Sequence, residues 1–404
     1  MFLKFTIVIL KMFTFVKLKK IAMDFEMLHQ DNSVKSLHGR YITLQDIEPI
    51  LKKWNTNNQL DVVGYSVEER PIYSYQIGTG KTKIFLWSQM HGNESTTTKA
   101  LFDFLHLLQN ESELTHQLLN SFTFYCLPMV NPDGAYYYTR ENANKLDLNR
   151  DSQNLTQPES IVLRQCFNSF QPDYCYNLHD QRTIFGVDDT GKPATVSFLA
   201  PAYNQEREIN EVRTKAIQLI VAMNETLQQY IPNQVGRFDD SFNINCIGDT
   251  FQSLNVPTIL IEAGHYQNDY EREQTRKYIF ITLLTGFVKF SENDVVNNKI
   301  EDYLNIPQNK VSFYDFVYKN VKINYDSNKI ITNIAIQFKE VLLDNKVNFN
   351  AFIAKIGDLE GYFGHFVYDA AEATYSDDNG TIPQLEQKAD FYLDTIKVSN
   401  GMIV

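Results

Sequence analysis

Short apolar stretches alternate with amphipathic stretches from about residue 41 to residue 292, a pattern that predicts an α/β domain. The predicted strands are Ile84–Ser88, Phe122–Leu127, Asp173–Leu178, Phe198–Ala200 and Thr258–Ile261. Helical spacing of apolar residues predicts helices near residues 95–108, 161–170, 209–227 and 278–288. We therefore predict a mixed, mainly parallel sheet flanked by helices.

The pattern changes after about residue 291. Residues 292–308 are polar and rich in Asn and Asp, which is typical of a linker. Beyond them, apolar and polar residues alternate as in half-buried antiparallel strands, at Val311–Tyr318, Val321–Tyr325, Ile330–Phe338 and Phe391–Val398. We predict an N-terminal extension at 1–40, a catalytic domain at 41–291 and a small β-rich domain at 309–404. The last contains no chemical constellation, so we expect it to give structural support or contact a partner.

Composition narrows the classes of function. The 404 residues are 43% hydrophobic and 21% charged, as in ordinary globular proteins, and their number favours two domains. The net charge of −12 argues against nucleic acid as a partner, since phosphate backbones require a concentrated basic surface. The four cysteines lack metal-site or disulfide spacing, and we interpret them as buried thiols.

The first 22 residues are ambiguous. Two short apolar runs are split by Lys11 and followed by Lys17, Lys19 and Lys20. A secretory signal has an unbroken apolar region and a small-residue cleavage site, and a membrane span has about 20 apolar residues. Translation from Met23 is a further reading. We expect a cytoplasmic protein without stable membrane insertion.

Candidate chemistry lies at or just after the carboxyl ends of four predicted strands, where α/β sheets place their sites. His91-Gly92-Asn93-Glu94 follows the first strand, Asn131-Pro132-Asp133-Gly134 the second, and His179 and Glu262 end two others. We expect these distant segments to meet at one edge of the sheet.

A histidine and a carboxylate three residues apart can bind one ion, and a third protein ligand leaves a position for water, as in catalytic zinc sites. His91 and Glu94 have this spacing, although chance pairs share it, and His179 is the best third ligand. The other histidines fit less well: His106 and His116 lie in or after a helix, His29, His38 and His365 are away from strand ends, and His265 follows Glu262.

These segments resemble zinc metallocarboxypeptidases of the carboxypeptidase A type. The family's elements occur in the same order, as His91–Glu94, Asn131–Gly134, Arg140, Asp147–Arg150, His179 and Ile261–Gly264. The resemblance covers about residues 60–290. Each tetrad alone is modestly specific, whereas six elements in order are highly specific.

The resemblance implies one zinc ion per chain, held by His91, Glu94 and His179, and hydrolysis of a C-terminal peptide bond by a zinc-activated water. Glu262 matches the general base and Arg140 the arginine that polarises the scissile carbonyl. Asn149 and Arg150 match the pair that binds the terminal carboxylate of the substrate. Tyr203 and Tyr266 are the candidates for the family's mobile tyrosine.

Alternatives remain open. Glu262 could be a structural buried carboxylate, and Arg140 a surface arginine. Asp133 fits a turn, and Tyr136–Tyr138 fit packing better than chemistry. The first rival function is an amidohydrolase of the aspartoacylase or succinylglutamate desuccinylase type, acting on a small acyl-amino acid. The Asn131–Gly134 motif followed by Arg140 favours the peptidase. The second rival is an inactive peptide-binding module.

Overall fold

The computed structural model describes residues 23–295, 297, 299–325, 328–378 and 380–404. The predictions made for residues 1–22 lie outside this part of the chain. Among the described residues, no helix combines the length and apolar character needed to cross a bilayer.

An eight-stranded mixed sheet forms the centre of the larger part of the protein. Its strands are β1 (Leu60–Tyr65), β2 (Pro71–Ile77), β3 (Thr82–Ser88), β4 (Phe122–Leu127), β5 (Tyr174–Asp180), β7 (Val196–Leu199), β8 (Val235–Arg237) and β9 (Thr258–Ala263). The spatial order is β1-β2-β4-β3-β5-β9-β7-β8. The central strands β4, β3, β5 and β9 are parallel to one another. The predicted fold class is confirmed.

Ten helices are described. They are α1 (Phe25–Asn32), α2 (Leu44–Trp54), α3 (Thr96–Leu108), α4 (Glu113–Ser121), α5 (Pro132–Tyr137), α6 (Pro158–Phe170), α7 (Glu211–Tyr230), α8 (Ile247–Ser253), α9 (Glu273–Ser291) and α10 (Ile300–Leu304). A 3₁₀ turn covers Leu148–Arg150.

Side chains alternate between the two faces of the sheet because successive residues of a strand point in opposite directions. On β3, Ile84 and Leu86 join the large core under α3, α7 and α9, whereas Phe85 and Trp87 join a second core under α6 and α8. Helices therefore cover both faces of the sheet. The candidate site residues lie at the carboxyl ends of its strands.

The boundary predicted at residue 40 between the N-terminal extension and the catalytic domain remains a prediction, but residues 23–40 pack on the larger body. Helix α1 lies in residues 23–40, and Met23, Phe25 and Leu28 pack against the large core, in which Leu37 is fully buried. The described part of the predicted extension is therefore integral to the larger body.

The C-terminal part consists of two four-stranded sheets around their own core. One has the order β13-β12-β11-β14 and the other β15-β16-β17-β18. The strands are β11 (Phe313–Tyr325), β12 (Asn328–Leu343), β13 (Lys346–Gly357), β14 (Phe363–Asp369), β15 (Tyr375–Ser376), β16 (Phe391–Leu393), β17 (Ile396–Ser399) and β18 (Met402–Ile403). The core between them includes Phe316, Ile336, Phe391 and Val398. The division into independent domains remains a prediction.

Three details of the C-terminal prediction were wrong. The two strands predicted at 311–325 form one strand, β11, whose register shifts between Tyr318 and Val321. The single strand predicted at 391–398 is the hairpin β16–β17, since Asp394 has a positive φ of 53° between them. Residues 292–308 are not a plain linker, because they include α10. Tyr303 of α10 is fully buried in the large core, and its hydroxyl accepts a hydrogen bond from the Ala200 N–H.

Strands of the C-terminal part also contact the larger body directly. Strand β10 (Asn309–Val311) pairs with β6 (Phe185–Val187). The Gln337 amide on β12 donates to the Thr183 hydroxyl at 2.9 Å, and the Tyr270 hydroxyl donates to Asp315 on β11 at 2.9 Å. These contacts place β12 beside the carboxyl end of β5.

Candidate metal centre and active-site cleft

The three predicted ligands meet at the carboxyl ends of β3 and β5. His91 and Glu94 lie in the loop between β3 and α3, and His179 is the next-to-last residue of β5. The ligand atoms of His91, Glu94 and His179 all lie within 4.8 Å of one another. Both imidazoles are 2% exposed, so these polar groups are enclosed by protein.

The atoms that converge are the two Nδ1 nitrogens and the Glu94 carboxylate. Glu94 Oε1 lies 2.8 Å from His91 Nδ1, and Glu94 Oε2 lies 2.8 Å from His179 Nδ1. The two Nδ1 atoms are 3.1 Å apart. Burial alone would raise the pKa of Glu94, but the charges of His91 and His179 outweigh it and lower that pKa. This donor set suits a cation.

Asp147 sets the orientation of His91. Its Oδ1 atom lies 3.1 Å from His91 Nε2 and also accepts a hydrogen bond from the Asn149 backbone. A proton on Nε2 would leave the Nδ1 lone pair directed at Glu94. Burial opposes the charged form of Asp147, but His91 and Arg140 nevertheless lower its pKa.

Glu262 lies beside His179 on the neighbouring strand. The two residues are register partners on the parallel strands β5 and β9, so their side chains emerge on the same face. Glu262 Oε2 is inaccessible to solvent and has no hydrogen-bond partner among the described residues. Burial, then the charges of Glu94 and Asp180, raise the pKa of Glu262 well above its usual value. Such a carboxyl group is suited to proton transfer.

Asp180 and Arg272 hold the strand ends that carry these residues. The Asp180 backbone N–H donates to Glu94, and its carboxylate accepts from the N–H groups of Thr96 and Thr97 at the start of α3. Arg272 is 1% exposed and donates to the carbonyls of Gln181 and Ala263, at 2.7 and 2.6 Å. It thereby ties β5 to β9 just beyond His179 and Glu262.

Arg140 reaches the same centre. Its guanidinium donates to Asp147 Oδ2 at 3.1 Å and to Glu94 Oε1 at 3.3 Å. The side chain is 42% exposed, so it can also meet a ligand in the cleft.

Asn149 and Arg150 lie in the 3₁₀ turn that follows Asp147. Asn149 Oδ1 accepts from the Ile247 N–H at the start of α8, which anchors this turn to β9 through α8. Arg150 is exposed, and its guanidinium contacts the Asn149 carbonyl and Cys246 Sγ. The structure thus brings this pair to the metal-ligand loop through Asp147.

The Asn131–Gly134 motif packs against the loop that carries His91 and Glu94. Gly134 and Gly92 are so close that a Cβ on Gly92 would lie 1.9 Å from the Gly134 carbonyl carbon. Asp133 is fully buried and accepts from Ser66, the Glu68 backbone and Arg70. It acts as a structural anchor in the first turn of α5.

Neither candidate for a mobile tyrosine is at the centre. The Tyr203 hydroxyl donates to Asn255, and the Tyr266 ring packs against Tyr278. A cleft of about 390 Å³ lies beside Glu94 and Arg140, and neither tyrosine lines it.

Sequence reasoning missed how much of this cleft comes from the C-terminal sheet. Gln337, Lys339 and Glu340 of β12 line it together with Glu94 and Arg140. The alternation of apolar and polar residues in β12 predicts a strand. Nothing in the sequence indicates that this strand lies beside Glu94 and Arg140, which are far earlier in the chain.

Comparison with known proteins also indicates a likeness to the carboxypeptidases. Residues 47–188 match the family model of the zinc carboxypeptidases, peptidase family M14. Carboxypeptidase 2 of Trichophyton rubrum is 28% identical over 100 residues, 25% of this chain and 19% of that protein. Carboxypeptidase D of Rattus norvegicus is 26% identical over 284 residues, 61% of this chain and 20% of that protein. The chain thus matches about a fifth of the length of these relatives.

A solved structure shares the fold. Carboxypeptidase A of Helicoverpa armigera superimposes with a TM-score of 0.50 and 17% identity, covering 66% of this chain and 80% of that one. The fold is metallocarboxypeptidase-like, and His91, Glu94 and His179 all lie within the matched residues 47–188. The match of residues 47–188 to the zinc carboxypeptidase family model confirms the resemblance seen in the sequence.

Proposed function

We propose that the protein is an active zinc carboxypeptidase that removes the C-terminal residue of a peptide. The observation that carries this proposal is the convergence of His91 Nδ1, His179 Nδ1 and the Glu94 carboxylate beside Glu262. The match of residues 47–188 to the zinc carboxypeptidase family model supports the reaction class, and the geometry of the residues supports each proposed role.

The donor set fits zinc. The two Nδ1 atoms lie 3.1 Å apart, and a cation bound by both would remove the repulsion between their lone pairs. Two imidazoles with one carboxylate are a common catalytic zinc set. One ion per chain would be held by His91, Glu94 and His179. When bound there, zinc lowers the pKa of a water ligand to about 7 and polarises a carbonyl.

Glu262 is the proposed general base. Its raised pKa allows it to take the proton from the attacking water and to hold it long enough to deliver it to the leaving amine. The free Oε2 atom leaves an acceptor available for that proton. Arg140, half-exposed in the cleft, is positioned to donate to the oxygen of the scissile carbonyl as negative charge develops there.

Arg150 and Asn149 are proposed to bind the terminal carboxylate. A guanidinium binds a carboxylate through two parallel hydrogen bonds, and no carboxylate of the described residues occupies Arg150. Asn149 uses Oδ1 on the Ile247 backbone, which leaves its amide N–H groups for the substrate.

Hydrolysis of a mixed peptide library, followed by mass spectrometry, tests the proposal. A carboxypeptidase gives products shortened by one residue at the C-terminus. Preferred cleavage of N-acetyl-aspartate or succinyl-glutamate supports the amidohydrolase instead. Binding of peptides by zinc-loaded protein without any hydrolysis supports the binding module.

A further inference from the structure

The cleft beside the metal centre has walls from both parts of the chain. The larger body contributes Asn93, Glu94 and Arg140, and strand β12 contributes Gln337 and Glu340. At about 390 Å³ it is within the size range of small-ligand sites.

Arg150 is the proposed binding site for the terminal carboxylate of the substrate. The position of the cleft relative to Arg150 decides which part of the substrate enters the cleft. Arg150 contacts Cys246 and is not among the residues that line the cleft. With the terminal carboxylate on Arg150 and the scissile carbonyl at Arg140, the acyl side of the substrate, which is N-terminal to the cleaved bond, extends into the cleft.

The cleft is basic although the chain as a whole is acidic, with a net charge of −12. Its cationic lining residues are Arg40, Arg140, Arg182, Arg272 and Lys339. Its carboxylates are Glu94, Asp180 and Glu340. A cleft with this excess of positive charge attracts anionic ligands.

Each carboxylate of the cleft is already engaged. Glu94 belongs to the metal centre, Asp180 caps α3, and Glu340 pairs with Arg40. None of them is available to neutralise Arg182.

Most of the cations are engaged as well. Lys339 is directed at Glu386 and the Phe352 ring, and Arg140 is bonded to Asp147 and Glu94. Arg272 donates only to carbonyls, and its buried Nε atom has no partner among the described residues. Arg182 is exposed and makes no hydrogen bond or ion pair with any residue of the described chain.

We propose that the cleft binds a carboxylate on the acyl side of the scissile bond and that Arg182, three residues after His179, contacts it. This inference rests on the proposed function, because the direction of the substrate is taken from Arg150. Arg272 adds a buried positive charge to the same cleft. Three kinds of acyl group offer such a carboxylate: an α-linked glutamyl residue, a γ-linked glutamyl residue and a succinyl group.

The test compares matched substrates with the same C-terminal residue. Peptides with glutamyl and glutaminyl residues before the scissile bond differ only in charge, and γ-glutamyl and succinyl substrates identify the source of the carboxylate. They are assayed with the zinc-loaded wild type, with Arg182→Gln, and with Lys215→Gln as a control that removes an exposed cation from α7. The Arg182 side chain makes no hydrogen bond or ion pair within the described chain, so its replacement should leave zinc content and unfolding unchanged.

We expect the wild type to favour at least one acidic acyl group by about 10–100-fold in kcat/KM, the range for one charged hydrogen bond. Arg182→Gln should abolish that preference while leaving the neutral peptide unaffected, and Lys215→Gln should retain it. Equal cleavage of acidic and neutral substrates by the wild type, or an unchanged preference in Arg182→Gln, would overturn the inference and leave the carboxypeptidase proposal standing.

A binding measurement keeps the two proposals separate. Acetyl-Ala-Glu-amide and acetyl-Ala-Gln-amide carry the acyl-side group without a free C-terminus, and their affinities can be measured by NMR. A preference for the glutamyl compound that depends on Arg182 supports the inference even if no peptide is hydrolysed. Equal affinities contradict it.

Discussion

Arg40 and Glu340 lie 300 residues apart in the chain and form an ion pair with two hydrogen bonds, of 3.0 and 3.2 Å. Arg40 precedes α2 and is 5% exposed, and Glu340 lies on β12. The Tyr138 hydroxyl donates to the same carboxylate. Burial would raise the pKa of Glu340, but Arg40 and Tyr138 lower it. This pair attaches the C-terminal sheet to the wall of the cleft.

Glu340→Ala should destabilise the protein by about 3–5 kcal/mol, because it leaves the buried Arg40 guanidinium without its carboxylate. Denaturant unfolding measures the loss. Glu386→Ala is the matched control, since Glu386 is an exposed partner of Lys339 and such a pair contributes about 0–1 kcal/mol. Equal losses of unfolding free energy in the two variants would show that the buried Arg40–Glu340 pair stabilises the protein no more than an exposed pair does.

His179→Ala should remove zinc from the purified protein, because only His91 and Glu94 would remain as ligands. Elemental analysis of the wild type is expected to give one zinc per chain. His116→Ala, at a surface histidine paired with Glu111, should leave that content unchanged. Full zinc content in His179→Ala would exclude His179 from the site.

Glu262→Gln should keep zinc and fold but lose about 10²–10⁴-fold in kcat, because an amide cannot accept the proton. The assay is run on variant protein whose zinc content and circular dichroism match the wild type. Glu271→Gln, on the loop before α9, serves as a carboxylate control. Turnover within a few-fold of wild type in Glu262→Gln would contradict the role of general base.

His365 should make the protein sensitive to mild acid. Its ring lies 4.1 Å from that of His265, and its Nε2 donates to the Thr183 carbonyl, so β14 packs on the larger body there. Burial lowers the pKa of His365 to about 4. The unfolded chain, with a pKa near about 6.5, binds the proton first, so stability is full above that pH and falls as pH drops from about 6.5 towards 4.

His365→Gln keeps a donor for Thr183 but does not titrate. Its unfolding free energy should therefore fall less over this range than that of the wild type, by roughly 1–3 kcal/mol. Urea unfolding at pH 7, 5.5 and 4.5 measures the difference. Parallel pH profiles for the two proteins would contradict the assignment.

The sequence was sufficient for the elements that depend on local pattern. Strand β4 was predicted at its observed bounds, and β3, β5 and β9 within a few residues, because continuous apolar runs mark strands buried on both faces. The convergence of the His91–Glu94 loop and His179 could be predicted because strand ends meet at one edge of a parallel sheet. This prediction needs only the positions of the strands, and not the contacts between distant parts of the chain.

Features that depend on tertiary contacts could not be predicted. Residues 23–40 have no strong periodicity, yet Leu37 is fully buried in the large core, and its carbonyl accepts a hydrogen bond from Arg276 of α9. Tyr303 appears in a polar stretch but occupies a core site. The part of β12 that faces the cleft carries Gln337 and Glu340, whose role follows only from their contacts with Thr183 and Arg40.

The most direct test of the central claim is the rate of cleavage of one peptide in two forms, with a free C-terminus and with a C-terminal amide. The account predicts that the wild type strongly favours the free acid. Arg150→Ala should lose kcat/KM for the free acid by about 10–100-fold, the range for one charged hydrogen bond, and should discriminate little between the two forms. Equal cleavage of both forms by the wild type, or far better cleavage of N-acetyl-aspartate or succinyl-glutamate than of any peptide, would contradict the carboxypeptidase account.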